Sequence, residues 1–318
     1  MRAVIRGCGH YLPEKILTND DMSRIVDTSD AWIFSRTGIR QRHFAAEGEN
    51  SSHLGAKAAK EALTGAGIRA SSIDTIIVAT TTPDRTFPAT ACMIQQAVGA
   101  TNAFCFDISA ACAGYLVGLS LVDAYIRSGQ ARRILLIGAE VFSRIIDMKD
   151  RNTCVLFGDG AGAVLFDAEK NDTAGIIKTT LNSAPQYQNI LQTSGGVGST
   201  QTAGYIEMTG QEVYRHAVNN LTSSAAGIFK DTEFAVTDID WLIPHQANVR
   251  IIQHVAKTLG LPMDKVIMTV DRHANTSAAS IPLALSVGIQ EGKIKSGDLI
   301  LHEALGGGLI WGSSLIRV

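Results

Sequence analysis

The chain repeats itself. "SIDTIIVATTTPD" (72–84) resembles "DIDWLIPHQAN" (238–248), "FDISAACAGYLVGLSL" (106–121) resembles "VDRHANTSAASIPLAL" (270–285), and "SGQARRILLIGAE" (128–140) resembles "IKSGDLILHEALGG" (294–307). The first pair also follows matching segments, "GAGI" (65–68) and "AAGI" (225–228). Four matches in one order are the mark of a duplicated unit, so the chain divides into halves of about 1–170 and 171–318 that face each other across a pseudo-dyad. Whatever one half builds, the other must build again.

Period decides what each half builds. "TIIVATT" (75–81), "NAFCFDIS" (102–109), "RILLIGAE" (133–140) and "AGAVLFD" (161–167) are apolar runs of strand length, and segments near 51–66, 89–99, 113–128 and 141–148 carry helical spacing. Their alternation predicts an α/β fold. A chain of 318 residues that is 46% hydrophobic and 18% charged can bury the core such a fold needs.

The duplication also predicts a site. Aligning Asp107 with Asp271 sets Cys112 opposite Thr276 and brings three equivalent strand ends together, carrying Cys112, "PHQAN" and "HANTS". In open parallel sheets ligands bind beyond such ends, where helix N-termini offer free N–H groups. Cys112, at the start of the helix 113–128, is expected to feel the positive end of the helix dipole, which favours the thiolate. Small neighbours (Ala110, Ala111, Ala113, Gly114) leave room for a substrate carbonyl, and a thiolate there suits acyl transfer through a thioester. His245 and Asn275 add two neutral donors that can hold a developing enolate oxygen. Neither is a strong base, which fits decarboxylation, where a carbanion forms without proton abstraction.

Other classes lack support. A formal net charge of −2 without long basic runs argues against nucleic acid or an anionic membrane as the main partner, leaving room only for a local basic patch. Five scattered cysteines without a CxxC pattern read as reduced thiols, with Cys8, Cys92, Cys105 and Cys154 expected to be buried and structural. The apolar stretch of "MRAVIRGCGHYLPEK" is too short for a signal peptide and no apolar run reaches membrane-spanning length, so a cytoplasmic protein is expected. "GDGAGA" (158–163) precedes a strand instead of opening a helix and is not a dinucleotide fingerprint; "GGVGST" (195–200) lacks the P-loop lysine. His245, His273 and His302 follow no metal-binding spacing, and no metal or other cofactor is expected.

"TSDAWIFSRTGIRQRH", "DISAACAGY", "FGDGAGAVL", "PHQAN", "HANTSAASIPLAL" and "LGGGLIWGSSLIRV" together resemble β-ketoacyl-acyl-carrier-protein synthase III across the whole chain. The resemblance implies a thiolase fold, a layered αβαβα sandwich of two similar halves, and a homodimer. It implies a ping-pong condensation in which an acyl-CoA acylates Cys112 and malonyl-acyl carrier protein then loses carbon dioxide at His245 and Asn275. The Cys112 and Gly307 N–H groups would hold the thioester oxyanion. Trp32 and Arg151 would sandwich the CoA adenine, while Arg36, Gly210, Asn248 and Arg250 match positions contacting CoA.

The same resemblance implies that Arg215, Arg250 and Lys257 dock the acidic carrier protein. It is joined by an independent pattern after "PHQAN": Ile251, Ile252, Val255, Ala256 and Leu259 make an apolar stripe, and Arg250, His254 and Lys257 fall on another face. Phe87 stands where the family reaches across the dimer to close the acyl pocket, and a bulky ring there would shorten the pocket and favour acetyl-CoA. Leu305 replaces the family's usual phenylalanine, so shielding of the thiol differs. Two other readings share the fold: a ketosynthase with a different primer or acceptor, and a non-catalytic acyl-CoA binder, which would have no use for the Cys112, His245, Asn275 set. A degradative thiolase would need a second cysteine near the C-terminus, and "EALGGGLIW" has none.

Overall fold

In the computed structural model, which describes residues 1–170 and 173–318, the apolar runs become the strands of two sheets. The first holds β1 (Arg2–Tyr11), β2 (Thr75–Ala79), β3 (Phe104–Ile108), β4 (Arg133–Val141) and β5 (Asp159–Glu169) in the order β1-β5-β4-β2-β3. Here β2 runs parallel to β3 and β4, and β5 antiparallel to β4 and β1. The second holds β6 (Gly175–Ser183), β7 (Trp241–Pro244), β8 (Leu299–Gly306) and β9 (Ile310–Arg317) in the order β7-β8-β9-β6, with only β7 and β8 parallel. Read from the other edge, β6-β9-β8-β7 repeats the order and directions of β1-β5-β4-β2.

Seven longer helices complete the described architecture: α1 (Asp30–Thr37), α2 (Ser51–Ala66), α3 (Thr90–Val98), α4 (Gly114–Arg127), α5 (Gly210–Ile228), α6 (Val249–Leu259) and α7 (Ser280–Gln290). α2 and α3 cover the outer face of the first sheet, α5 and α6 that of the second, and α4 and α7 lie between the sheets, giving the five layers αβαβα. Position explains composition. α7 is buried from Ser280 through Gly288, as a helix covered by a sheet on either side must be, whereas α6 buries Ile252, Val255 and Ala256 and leaves the other side to solvent.

The glycines near "GDGAGA" have a packing role. A Cβ at Gly162 would stand 2.4 Å from Leu283 N, and one at Gly138 2.3 Å from Ala278 O, so the start of α7 reaches the sheet only because both side chains are absent.

Two expectations fail locally. The segment 141–148 is a single turn, Phe142–Arg144, and no longer helix; its apolar spacing arises because Phe142, Ile145 and Ile146 pack into the core beside Phe157. The counterpart of β3 in the second half is a one-turn helix, Val270–His273, joined to the sheet region by isolated bridges at Val266 and Asn275. Among the described residues no helix is long and apolar enough to cross a membrane.

Candidate active site

Cys112 lies in the turn Ala111–Ala113 between β3 and α4, 7% exposed. Ala111, just before it, holds a left-handed φ of 46°, a costly conformation for a residue with a Cβ that tightly packed surroundings must enforce. One neighbour is the end of β8, where a Cβ at Gly306 would come 2.7 Å from Cys112 N. Glycine is therefore required there for the strand to approach the nucleophile's backbone.

Burial pushes the Cys112 thiol up to about 12, with the Ser277 hydroxyl acting downward and the Glu140 carboxylate adding to the rise. This runs against the expectation of a low pKa drawn from the helix N-terminus alone: burial is the largest influence and favours the thiol. Glu140 is itself fully buried at the end of β4. It accepts from the N–H groups of Thr81 and Thr82 and from the hydroxyls of Thr80, Thr81 and Thr82, the shortest bond being 2.6 Å. The carboxylate thereby fixes the loop that places Thr81 in the wall beside Cys112.

His245 follows β7, its N–H donating to Glu303 O at 2.7 Å so that the parallel pairing with β8 runs one residue further. Burial pushes its imidazole down to about 3, so the ring is neutral at physiological pH. Its Nδ1 lies 2.6 Å from Ser280 Oγ at the start of α7. That oxygen also accepts from Gln246 N–H at 3.4 Å, and its hydroxyl proton is available to donate to Nδ1. With the Ser280 hydroxyl donating to Nδ1, the single ring proton sits on Nε2 and His245 is a neutral donor there.

Asn275 is positioned by backbone bonds on both sides, its N–H donating to Leu156 O and its C=O accepting from Gly158 N–H, each at 3.0 Å. Its Oδ1 accepts from Ser277 N–H at 2.9 Å, which fixes the amide so that Nδ2 is the free, donating end. Ala274 and Ser277 on either side hold φ of 57° and 50°. Left-handed backbone at non-glycine residues thus brackets Asn275, as it precedes Cys112.

Cys112, His245 and Asn275 line one cavity of about 560 Å³. Gly210, Asn248, Leu305 and Gly307 line it too, as do Phe142 and Phe157, whose rings stack at 5.1 Å. Asn248 has little freedom there: its Oδ1 caps α6 by accepting from Arg250 N–H at 2.8 Å, and its Nδ2 donates to Arg36 O at 3.0 Å. Trp32, Arg36 and Arg151 form a separate surface cluster, with the guanidinium carbons 4.5 Å (Arg36) and 5.1 Å (Arg151) from the Trp32 ring. An inserted adenine needs about 3.5 Å on each side, so Arg151 has to swing outward to form the expected sandwich.

Arg215 on α5 and Arg250, His254 and Lys257 on α6 are all exposed on helices that pack side by side. Arg250 also donates to Ser35 O at 2.8 Å and so ties α6 to α1. Phe87 does not line this chain's cavity; it stands 82% exposed on the loop before α3. Of the other cysteines only Cys154 is buried, while Cys8, Cys92 and Cys105 are half-buried, against the expectation that all four are core thiols.

Sequence reasoning passed over Ser277, Ser280 and Glu140. The serines stand inside "HANTSAAS", two and five residues after Asn275, and Glu140 is a lone acid ending an apolar strand opposite the "TTT" of residues 80–82. A charge at the end of a buried run, facing a cluster of hydroxyls, was the available clue.

Comparison with known proteins sets this geometry in context. Residues 106–185 match the family described as 3-oxoacyl-[acyl-carrier-protein (ACP)] synthase III, and residues 229–318 match its C-terminal region. The chain is 54% identical over 320 residues to the β-ketoacyl-[acyl-carrier-protein] synthase III of Ruegeria sp. (strain TM1040), covering 99% of each. It resembles the crystal structure of 3-oxoacyl-[acyl-carrier-protein] synthase III from Aquifex aeolicus VF5 with a TM-score of 0.95 and 44% identity, over 99% of this chain and 100% of that one. The counterpart from Pseudomonas aeruginosa PAO1 gives 0.94 and 40%, over 100% and 98%.

Proposed function

This chain belongs to the β-ketoacyl-[acyl-carrier-protein] synthase III family, thiolase-fold condensing enzymes of fatty acid synthesis, and from that premise we propose that it joins acetyl-CoA to malonyl-acyl carrier protein. In the first half-reaction Cys112 Sγ attacks the thioester carbonyl, the bond to CoA breaks, and the thiol proton leaves on the CoA sulfur. The Cys112 and Gly307 N–H groups take the oxyanion. In the second, the malonyl carboxylate departs as carbon dioxide and the electron pair spreads onto the thioester oxygen, held by His245 Nε2–H and Asn275 Nδ2. The carbanion attacks acyl-Cys112, releasing a 3-oxoacyl carrier protein and a thiolate that takes up one proton.

One observation carries this reading: a neutral His245, its Nδ1 engaged by Ser280, and an orientation-fixed Asn275 share a cavity with Cys112. A charged imidazolium would bind the malonyl carboxylate and oppose its loss, whereas a neutral donor stabilises only the enolate that follows. The acetyl preference draws support from Phe87, whose bulky ring, reaching across a dimer, would shorten the acyl pocket. A homodimer draws support from Phe87, an isolated ring facing water. The carrier protein is assigned to the face of α5 and α6 bearing Arg215, Arg250 and Lys257, and Trp32, Arg36 and Arg151 to the adenine end of CoA. The reading takes the protein as two duplicated halves, 1–170 and 171–318, acting in the cytoplasm without metal or other cofactor.

Separating the half-reactions tests it. Cys112→Ser is expected to abolish acyl transfer and leave malonyl decarboxylation measurable; His245→Ala and Asn275→Ala are expected to acylate normally and fail to decarboxylate. Equal loss of both half-reactions in the latter variants would reduce these residues to structural parts.

A further inference from the structure

Behind the wall of the cavity one charged side chain is buried completely. Arg42 lies on the short strand Gln41–Phe44, which pairs antiparallel with Lys15–Thr18, and no part of it reaches solvent. Its guanidinium donates to two backbone carbonyls, Leu17 O at 3.1 Å on the partner strand and Val155 O at 2.9 Å, while Nε is left without a partner. Burial pushes the guanidinium down to about 10, so it stays charged at neutral pH. A desolvated cation held by neutral carbonyls is costly, and an apolar side chain of similar length would avoid that cost. The reason for the arginine is therefore to be sought in what its two bonds hold.

Val155 opens the segment from which Asn275 hangs. Leu156 O accepts from Asn275 N–H, Gly158 N–H donates to Asn275 O, and Phe157 and Asn275 form an isolated parallel bridge. The same two-stranded ribbon grips the Asn275 loop from its other end, since Arg40 N–H donates to Asp271 O at 2.8 Å. Packing leaves no slack between these parts. A Cβ at Gly158 would stand 3.0 Å from His273 O and 3.2 Å from Arg42 Cβ.

We propose that Arg42 is a positioning residue for decarboxylation: by fixing Val155 O it sets the place of the Leu156–Gly158 segment and so aims the Asn275 amide at the enolate oxygen. The inference rests on the reading of Asn275 as a donor in that step. Arg42 touches no substrate and acts through the backbone alone. Cys112 is braced from elsewhere, by β8 at Gly306 and by the loop that Glu140 fixes, so acylation does not depend on Arg42.

A double-mutant cycle tests this. Arg42→Met, Asn275→Ala and the double variant are each assayed at saturating substrate for carbon dioxide release from malonyl-acyl carrier protein and for acetyl transfer from acetyl-CoA to Cys112. Displacing a catalytic group by about 1 Å costs up to about 100-fold. Arg42→Met is therefore expected to slow decarboxylation about 10- to 100-fold, to keep acetylation within about twofold, and to add nothing in the Asn275→Ala background. Arg42→Lys, which keeps the charge but gathers its donors on one atom, goes through the same cycle with a smaller loss expected, so a methionine variant that fails to fold does not end the test. Undiminished decarboxylation, an equal fall in acetylation, or a loss that multiplies with that of Asn275→Ala would overturn the proposal and leave the role of Asn275 standing. Full decarboxylation by Asn275→Ala alone would instead bring down the reading of Asn275, and the proposal with it.

Discussion

Ser280→Ala tests the idea that His245 works as a neutral Nε2–H donor. The hydroxyl stands 2.6 Å from His245 Nδ1 and, by donating to it, biases the ring toward the tautomer that presents N–H to the enolate. Removing one neutral hydrogen bond of this kind costs about 1–1.5 kcal/mol net. At about 1.36 kcal/mol per factor of ten, the loss corresponds to a fall of roughly 5- to 13-fold in malonyl decarboxylation. Acylation does not use the imidazole proton and should stay within about twofold. The assay follows labelled carbon dioxide from malonyl-acyl carrier protein and, separately, acetyl transfer from acetyl-CoA to Cys112, with a urea unfolding curve to confirm that the variant is folded. Undiminished decarboxylation, or an equal fall in both half-reactions, would refute the tautomer argument.

Three further outcomes are expected. Gly306→Ala forces a Cβ to within 2.7 Å of Cys112 N, so the unfolding free energy should drop by about 1–3 kcal/mol and Cys112 acylation should slow; an unchanged enzyme would mean that β8 does not brace the nucleophile. Because burial pushes Cys112 up to about 12, its alkylation by iodoacetamide should rise about tenfold per pH unit between pH 7 and 10, and a plateau starting near pH 7 would show that the helix dipole prevails after all. Lys257→Glu, chosen over Arg250 because Arg250 also ties α6 to α1, should weaken carrier-protein binding strongly at low ionic strength and little at high; a salt-independent loss would move the docking face elsewhere.

Much of this was legible in the sequence, for definite reasons. The apolar runs at 75–81, 102–109, 133–140 and 161–167 correspond to β2 to β5; β2, β4 and most of β5 are buried on both faces and so read as unbroken hydrophobic segments, while β3 is only partly buried. α2, α3 and α4 fall within two residues of the spans predicted for them. The segment 141–148 misled because Phe142, Ile145 and Ile146 answer to a tertiary neighbour, Phe157, and not to a helix face. Asn275 was found by its motif and brought beside Cys112 by the repeat, but the strand expected before it is a helical turn, and its loop depends on left-handed backbone at Ala274 and Ser277, which no local propensity announces. The ionisation of Cys112 was misjudged for a similar reason, since its place before a helix is written in the sequence whereas its desolvation by the packed layers is not.

The central claim is that Cys112 carries the acyl group between two substrates. Incubation with radiolabelled acetyl-CoA alone, followed by chymotryptic mapping, should place the label on the peptide containing Cys112, and unlabelled malonyl-acyl carrier protein should then release it as a 3-oxoacyl product. Label on another residue, or label on Cys112 that the malonyl carrier protein fails to remove, would contradict the account.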